Sequence, residues 1–394
     1  MLSVDPTEFK NFHHKKLLVI TSLYPNSSGE YIGGSFVKNQ IDSLSQYFKE
    51  IFVISPVLFS FKVLSNDKLC QDYTYDNVKV FYPRCTYIPI FYFNKILIDN
   101  RFKVVRNLIE KEGISFDIIH SHFTWPSAYI GSKLKETYKI PLFVTIHENS
   151  KWFCDEVNMD YSLINNSWKS ADALIRVNKK DIPVLKKFNE NSFFIPNGYP
   201  SKFKPLSKTE CRRQLNLPSN AVILFSLGWL VERKGFGYLI KSMKILKEKR
   251  RKEVLCFIGG SGPLKNKLQK QIDSSKLQNE VKLLGSVPDN LLPLWMNACD
   301  FFVLPSLSES FGVVQVEAMA CGTPVISTYN GGSEEIIISE DYGLLAKPKN
   351  SEDLAEKISY AIDHKWDKSK ILDYMEQFRW DNIVINLLTV YKDV

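Results

Sequence analysis

DFFVLPSLSESFGVVQVEAMACGTPVISTY, residues 300–329, decides the fold. Its apolar opening, bounded by Pro305, reads as a short buried strand. Val313, Val314, Val316, Ala318, Met319 and Ala320 then suit a buried helix, ended by Gly322 as a left-handed cap and by Pro324. PVISTY returns to strand. Strand, helix and strand in such close succession are the pattern of parallel α/β architecture.

The same style runs outward in both directions. Ahead of residue 300 come AVILFSLG, VLCFIGG and VKLLGS, and behind it GLLAKP. The first half offers KLLVITSLYP, EIFVISP, VKVFYPR, FDIIHSHF, PLFVTIHE, ADALIRVN and SFFIPN as further strands. Amphipathic helices are expected from about Ser35 to Phe48 and on the stripe Phe236, Leu239, Ile240, Met243 and Leu246. IPNGYPSKFKP, residues 195–205, combines an Asn-Gly turn signal with three prolines and marks the boundary. The expected organisation is a domain over 1–199, a second over 200–377, and a last helix, 378–394, packing back on the first. Two doubly wound domains would face across a cleft, where ligands gather at the carboxyl ends of strands.

Composition sets the class. A chain of 394 residues with 44% hydrophobic and 24% charged content is long enough for two globular cores. No run is apolar and long enough for a membrane span. Seven cysteines without a CxxC pair point to free thiols and a reducing, cytoplasmic setting. The formal charge of +8 owes much to Lys241, Lys244, Lys247, Lys249, Arg250, Arg251 and Lys252, which read as a solvated helix end. A nucleic-acid partner is not expected.

Several stretches carry chemistry. The helix in the opening segment starts near Phe311-Gly312-Val313, where free amides beside a residue without a side chain suit a phosphate. Glu309 lies ahead of it and Glu317 within it, both good acceptors for sugar and ribose hydroxyls. The plainer alternative is that Glu309 caps the helix and Glu317 is solvated. In LGWLVERKG, residues 227–235, Lys234 sits where an ammonium meets a phosphate, with Arg233 beside it. Gly260 and Gly262 follow a strand and allow close backbone approach, but Pro263 breaks any dinucleotide fingerprint. Gly29, Gly33 and Gly34 form a similar loop before Ser35. His120 and His122 alternate on one strand face, and His147 ends the next strand. No Cys or carboxylate spacing joins these histidines, so no metal site is expected.

In order along the chain, SLYPNSSGEYIGGSFVKNQ, DIIHSHF, IPNGYPSKFKP, SLGWLVERKG, FIGGSGPL, ESFGVVQVE, ISTYNGGSEEII and YGLLAKP resemble the retaining GT-B glycosyltransferases of glycosyltransferase family 4. The resemblance covers nearly the whole chain, and its most specific element is the pair Glu309 and Glu317. It implies a co-substrate, a UDP-sugar or GDP-sugar, rather than a cofactor, and no metal. It implies that Glu317 binds ribose hydroxyls, Glu309 faces the transferred sugar, and amides near Phe311, Gly312 and Val313 meet the diphosphate. Lys234 would neutralise the leaving diphosphate, Gly260 and Gly262 would lie by the nucleotide, and Gly33, Gly34 and His122 would border the sugar. His147 is expected on the acceptor side. Trp229 departs from the family's usual Arg, which opens a non-catalytic, nucleotide-sugar-binding alternative; a nicotinamide-dependent dehydrogenase is a further one. The expected acceptor is a glycan or lipid-linked glycan in polysaccharide or glycolipid assembly. The aromatic stretch Tyr87, Ile88, Ile90, Phe91, Tyr92, Phe93, Ile96 and Leu97 either touches an anionic membrane at its inner face or packs as core.

Overall fold

The structure is a computed structural model and describes residues 6–29, 33–59, 70–86, 95–249 and 253–394. The chain forms two compact units, Met1–Gly198 with Trp380–Val394, and Tyr199–Arg379. Arg250, Arg251, Lys252 and the aromatic positions 87–93 lie outside the described residues.

The first unit is built on an eight-stranded sheet. In chain order its strands are β1 (Lys16–Thr21), β2 (Glu50–Ile54), β3 (Tyr73–Tyr75), β4 (Val78–Phe81), β5 (Ile118–His122), β6 (Leu142–Ile146), β7 (Ala173–Arg176) and β8 (Ser192–Phe194). They lie in the order β8-β7-β6-β5-β1-β2-β4-β3, parallel except for the β3–β4 pair. Period-two alternation sends Leu17 and Val19 into one apolar layer and Leu18 and Ile20 into the other. That double burial is why these strands read as continuous apolar runs. The seven strands expected in this half all form. The three-residue β3, turned on Asp76 at φ 47°, was not expected, nor was the parallel pair Val57–Phe59 with Arg84–Thr86. Three residues are too few for a periodic signal.

The helix Ser35–Leu44 ends before the expected Phe48, although Phe48 still packs in the core. The last helix, Trp380–Asp393, belongs to this unit: Trp380, Ile383, Val384, Leu387 and Leu388 are buried with Val37, Ile41 and Leu44. A helix Lys95–Lys111 carries the described end of the aromatic stretch, with Ile96 78% exposed and Ile98 buried. Among the described residues no helix is long and apolar enough to cross a membrane.

The second unit holds a six-stranded, wholly parallel sheet: β9 (Val222–Leu227), β10 (Val254–Gly259), β11 (Val281–Gly285), β12 (Phe301–Leu304), β13 (Val325–Thr328) and β14 (Gly343–Ala346). All six were expected. Their order, β11-β10-β9-β12-β13-β14, is that of a Rossmann sheet, in which the winding reverses between β9 and β12. Loops leaving those neighbouring strands diverge to opposite faces, which opens a crevice at their carboxyl ends. In the first unit the equivalent reversal lies between β1 and β5.

Candidate active site

At the reversal point of the second unit, two loops are locked together by backbone. Gly235 adopts φ 67°, and a Cβ there would sit 1.9 Å from the Pro305 carbonyl oxygen, so only glycine allows the approach. The Leu307 N–H donates to the Arg233 carbonyl at 2.7 Å, and Arg233 Nη1 donates to the Ser308 carbonyl at 2.6 Å. From the next loop, the Glu309 N–H donates to the Asn330 carbonyl at 2.9 Å. The loops after β9, β12 and β13 therefore converge on one carboxylate.

That carboxylate is held by both cations of the Arg233-Lys234 pair. Lys234 Nζ lies 2.5 Å from Glu309 Oε1, and Arg233 Nη1 lies 3.1 Å from Oε2. A Cβ at Gly228 would stand 3.4 Å from Lys234 Cδ and Cε, so its absence leaves room for the lysine stem. Glu309 is only 6% exposed. Burial pushes its carboxyl up, but the Lys234 and Arg233 charges and the Lys234 hydrogen bond outweigh burial and hold it below its ordinary value. Glu309 is thus ionised and paired rather than a helix cap; the helix Val313–Ala320 has Gly312, φ 85°, at its N-cap and no side-chain cap bond.

Phe311, fully buried, packs against Phe378, and Gly332 passes so close that a Cβ would fall 2.7 Å from the Phe311 nitrogen. The Gly332 turn is tied by Asn330 Oδ1, which accepts from the Gly332 and Ser333 N–H groups, and by Glu334, which accepts from Gly331 N–H. Asn330 and Glu334 are supporting residues that residue-level reasoning did not single out, although the Asn-Gly-Gly turn was visible.

Glu317 is half-buried on the helix and makes no side-chain hydrogen bond or ion pair among the described residues. Burial pushes its carboxyl up to about 7, against a smaller opposing effect of Lys202. Gly260 and Gly262 have their own explanation in packing: Cβ atoms there would lie 1.9 Å from the Gly228 carbonyl oxygen and 2.7 Å from the Leu230 nitrogen. They let the loop after β10 lie flat on the loop that carries Lys234, where the Leu230 N–H donates to the Ser261 carbonyl at 2.7 Å. Trp229 stands out 57% exposed from that same loop.

Residues 207–377, which span this whole constellation, match the family of glycosyl transferases group 1, and residues 63–202 match glycosyltransferase family 4. The chain belongs to these GT-B glycosyltransferases. It is 28% identical over 387 residues to an uncharacterized glycosyltransferase of Methanocaldococcus jannaschii, covering 96% of this chain and 99% of that one. It is 27% identical over 311 residues to the mannosylfructose-phosphate synthase of Agrobacterium fabrum, covering 71% and 68%. In structure it is similar to a sucrose-phosphate synthase from Thermosynechococcus elongatus (TM-score 0.77, 20% identity, 96% and 98% covered). It also resembles Anabaena HepE in complex with UDP-glucose (TM-score 0.73, 21% identity, 97% and 100% covered). Proteins of this type use nucleotide sugars.

The first unit of this glycosyltransferase places its expected residues around its own reversal point. Gly34, φ 77°, caps the helix Ser35–Leu44, and a Cβ there would lie 2.2 Å from the Leu23 carbonyl oxygen. Gly33 is half-buried in the turn before it. His120, His122 and His147 are all buried and make three hydrogen bonds. His120 Nδ1 meets the Tyr391 hydroxyl at 2.6 Å and its Nε2 meets Thr145 Oγ1 at 2.7 Å. His122 Nδ1 lies 2.9 Å from His147 Nε2. Burial keeps all three neutral, with His120 pushed down to about 3, and adjacent imidazoles lower His122 and His147 further. Two neutral rings sharing one hydrogen bond must take complementary tautomers, one donating and one accepting. Among the described residues no group of three His, Cys, Asp or Glu is placed to hold a metal ion.

Proposed function

We propose that this glycosyltransferase moves a hexosyl group from a UDP- or GDP-sugar to an acceptor hydroxyl, with retention of anomeric configuration and without a metal ion. The acceptor we propose is a glycan or lipid-linked glycan in surface polysaccharide or glycolipid assembly. The observation that carries the reading is the convergence of Lys234 and Arg233 on Glu309, beside the amide-bearing start of the helix Val313–Ala320.

The hard step is departure of the diphosphate as positive charge grows on the sugar ring. Lys234, Arg233 and the amides at Gly312 and Val313 supply fixed positive charge to the leaving group, as an oxyanion hole does. Glu309, kept ionised by the same cations, faces the charge that develops on the sugar. Glu317, which has no side-chain hydrogen-bond partner among the described residues, accepts from the ribose hydroxyls, and Gly260 and Gly262 set the loop that carries Lys234. In the first unit His122, expected to border the sugar, is wholly buried, whereas His147, expected on the acceptor side, is 6% exposed; we therefore assign the ligand contact to His147, with His122 hydrogen-bonded behind it. The UDP-glucose held by HepE supports a uridine donor.

The test is release of nucleoside diphosphate from UDP-glucose, UDP-galactose, UDP-N-acetylglucosamine and GDP-mannose with chelator present, followed by NMR of the product anomer. Turnover that needs an added divalent cation, or an inverted product, would refute the corresponding part. Trp229, exposed where the family usually has Arg, favours a non-catalytic binder as the second reading. Calorimetric donor binding with neither transfer nor hydrolysis would select it.

A further inference from the structure

Directly after β6, the segment His147-Glu148-Asn149 leads into a helix, Ser150–Asn158, whose first turn presents a tryptophan to solvent. Trp152 is 47% exposed, yet it is fixed at two points. Asn149 Oδ1 accepts from its backbone N–H at 3.3 Å, and its indole Nε1–H donates to Glu156 Oε1 at 3.0 Å. Glu156, one turn on, is only 1% exposed. Burying an acid is costly unless it is neutral and hydrogen-bonded. Burial, and then the charge of neighbouring Glu148, push the Glu156 carboxyl up to about 9, so it holds a proton at neutral pH. Glu156 Oε2 and Glu148 Oε2 are among the buried side-chain oxygens that have no hydrogen-bond partner among the described residues, and the proton makes the Glu156 carboxyl a donor. Glu148 is itself anchored, accepting from the Thr124 N–H at 2.7 Å after β5.

A buried acid network rooted in the strand ends beside His147 thus fixes the angle of one exposed indole. With its N–H turned inward, Trp152 offers only a flat apolar face, extended two turns along by Met159, which is 46% exposed. The apolar part of a carbohydrate is the C–H face of its ring, and its burial on an indole is favourable while the hydroxyls stay wet. We propose that Trp152 is a stacking platform for a sugar ring of the acceptor, held in place by Glu156 as a positioning residue. This rests on the glycosyltransferase reading and adds that the acceptor presents a saccharide to the first unit.

The probe is the full-length chain labelled with 5-fluorotryptophan, its Trp152 resonance assigned by Trp152→Phe, titrated with methyl glycosides of glucose, galactose, mannose and N-acetylglucosamine. At least one glycoside is expected to move that resonance saturably. With that glycoside as acceptor, Trp152→Ala is expected to raise the acceptor KM about tenfold while the donor KM changes less than about twofold. Glu156→Gln, neutral and still able to accept from the indole, keeps the low acceptor KM, whereas Glu156→Leu raises it. A Trp152 resonance that no glycoside moves, one that responds only to phosphatidylglycerol vesicles, or an unchanged acceptor KM in Trp152→Ala overturns the proposal. Absence of nucleoside diphosphate release by the wild-type chain sinks the transferase reading instead, and the titration still decides the platform.

Discussion

Replacing Lys234 with alanine removes the closer of two cations from a carboxylate that is almost out of water. The lysine side chain is 14% exposed and its Nζ lies 2.5 Å from Glu309 Oε1. Removing one member of a buried pair costs about 3–5 kcal/mol, because the other charge is stranded. Here Arg233 stays 3.1 Å from the second oxygen, but it is 38% exposed and solvent-screened. The expected loss is therefore nearer 2 kcal/mol, a hydrogen bond to a charged group without complete orphaning. Turnover is expected to fall further, by about 10²–10³-fold, the usual effect of deleting one electrostatic stabiliser of a developing negative charge. Coupled spectrophotometry of nucleoside diphosphate release at saturating donor, with urea denaturation in parallel, measures both. The double variant Lys234→Ala/Glu309→Ala removes the stranded charge, so its stability should recover towards wild type while its turnover does not. Turnover above about a tenth of wild type in Lys234→Ala, or recovered along with stability in the double variant, would refute electrostatic catalysis by Lys234.

Gly235→Ala should destabilise the second unit by about 3 kcal/mol or more, through the left-handed φ and the 1.9 Å approach to Pro305. Gly285→Ala, also at positive φ but with open space around it, should cost about 1–2 kcal/mol, and thermal melts separate the two. Glu317 binds its proton more tightly when folded, with the carboxyl raised from 4.5 to about 7, so stability falls as pH rises through that window. Glu317→Gln should flatten this fall in melts from pH 4.5 to 8 and weaken donor binding in calorimetry. Tyr391→Phe leaves buried His120 Nδ1 without its 2.6 Å partner and should cost about 1–3 kcal/mol in urea, with donor affinity unchanged.

Much of this was legible in order along the chain because it is local. Apolar runs marked seven of the eight strands of the first sheet and all six of the second, Gly312 and Gly322 bracketed the helix after β12, and the glycine and Arg-Lys loops fell where loops belong. What failed was either too short for periodicity, as at Tyr73–Tyr75, or frayed, as beyond Leu44, where the turn Ser45–Tyr47 ends the helix although Phe48 keeps the apolar spacing.

Direction and partnership were another matter. The sequence placed Arg233 beside Lys234, but only the fold turned both onto Glu309, whose partner Lys234 lies 75 positions away. It supplied Gly260 and Gly262 without saying that their missing side chains admit a neighbouring loop, and Trp152 without the buried acid that fixes it. Strand identity follows from the residues of one segment, whereas strand order, and hence which loops meet at the reversal between β9 and β12, is set by packing among segments distant in the chain. A carboxylate's charge state follows the same rule: burial raises Glu309 and Glu317 alike, and only the cations that tertiary structure brings to one of them keep it ionised.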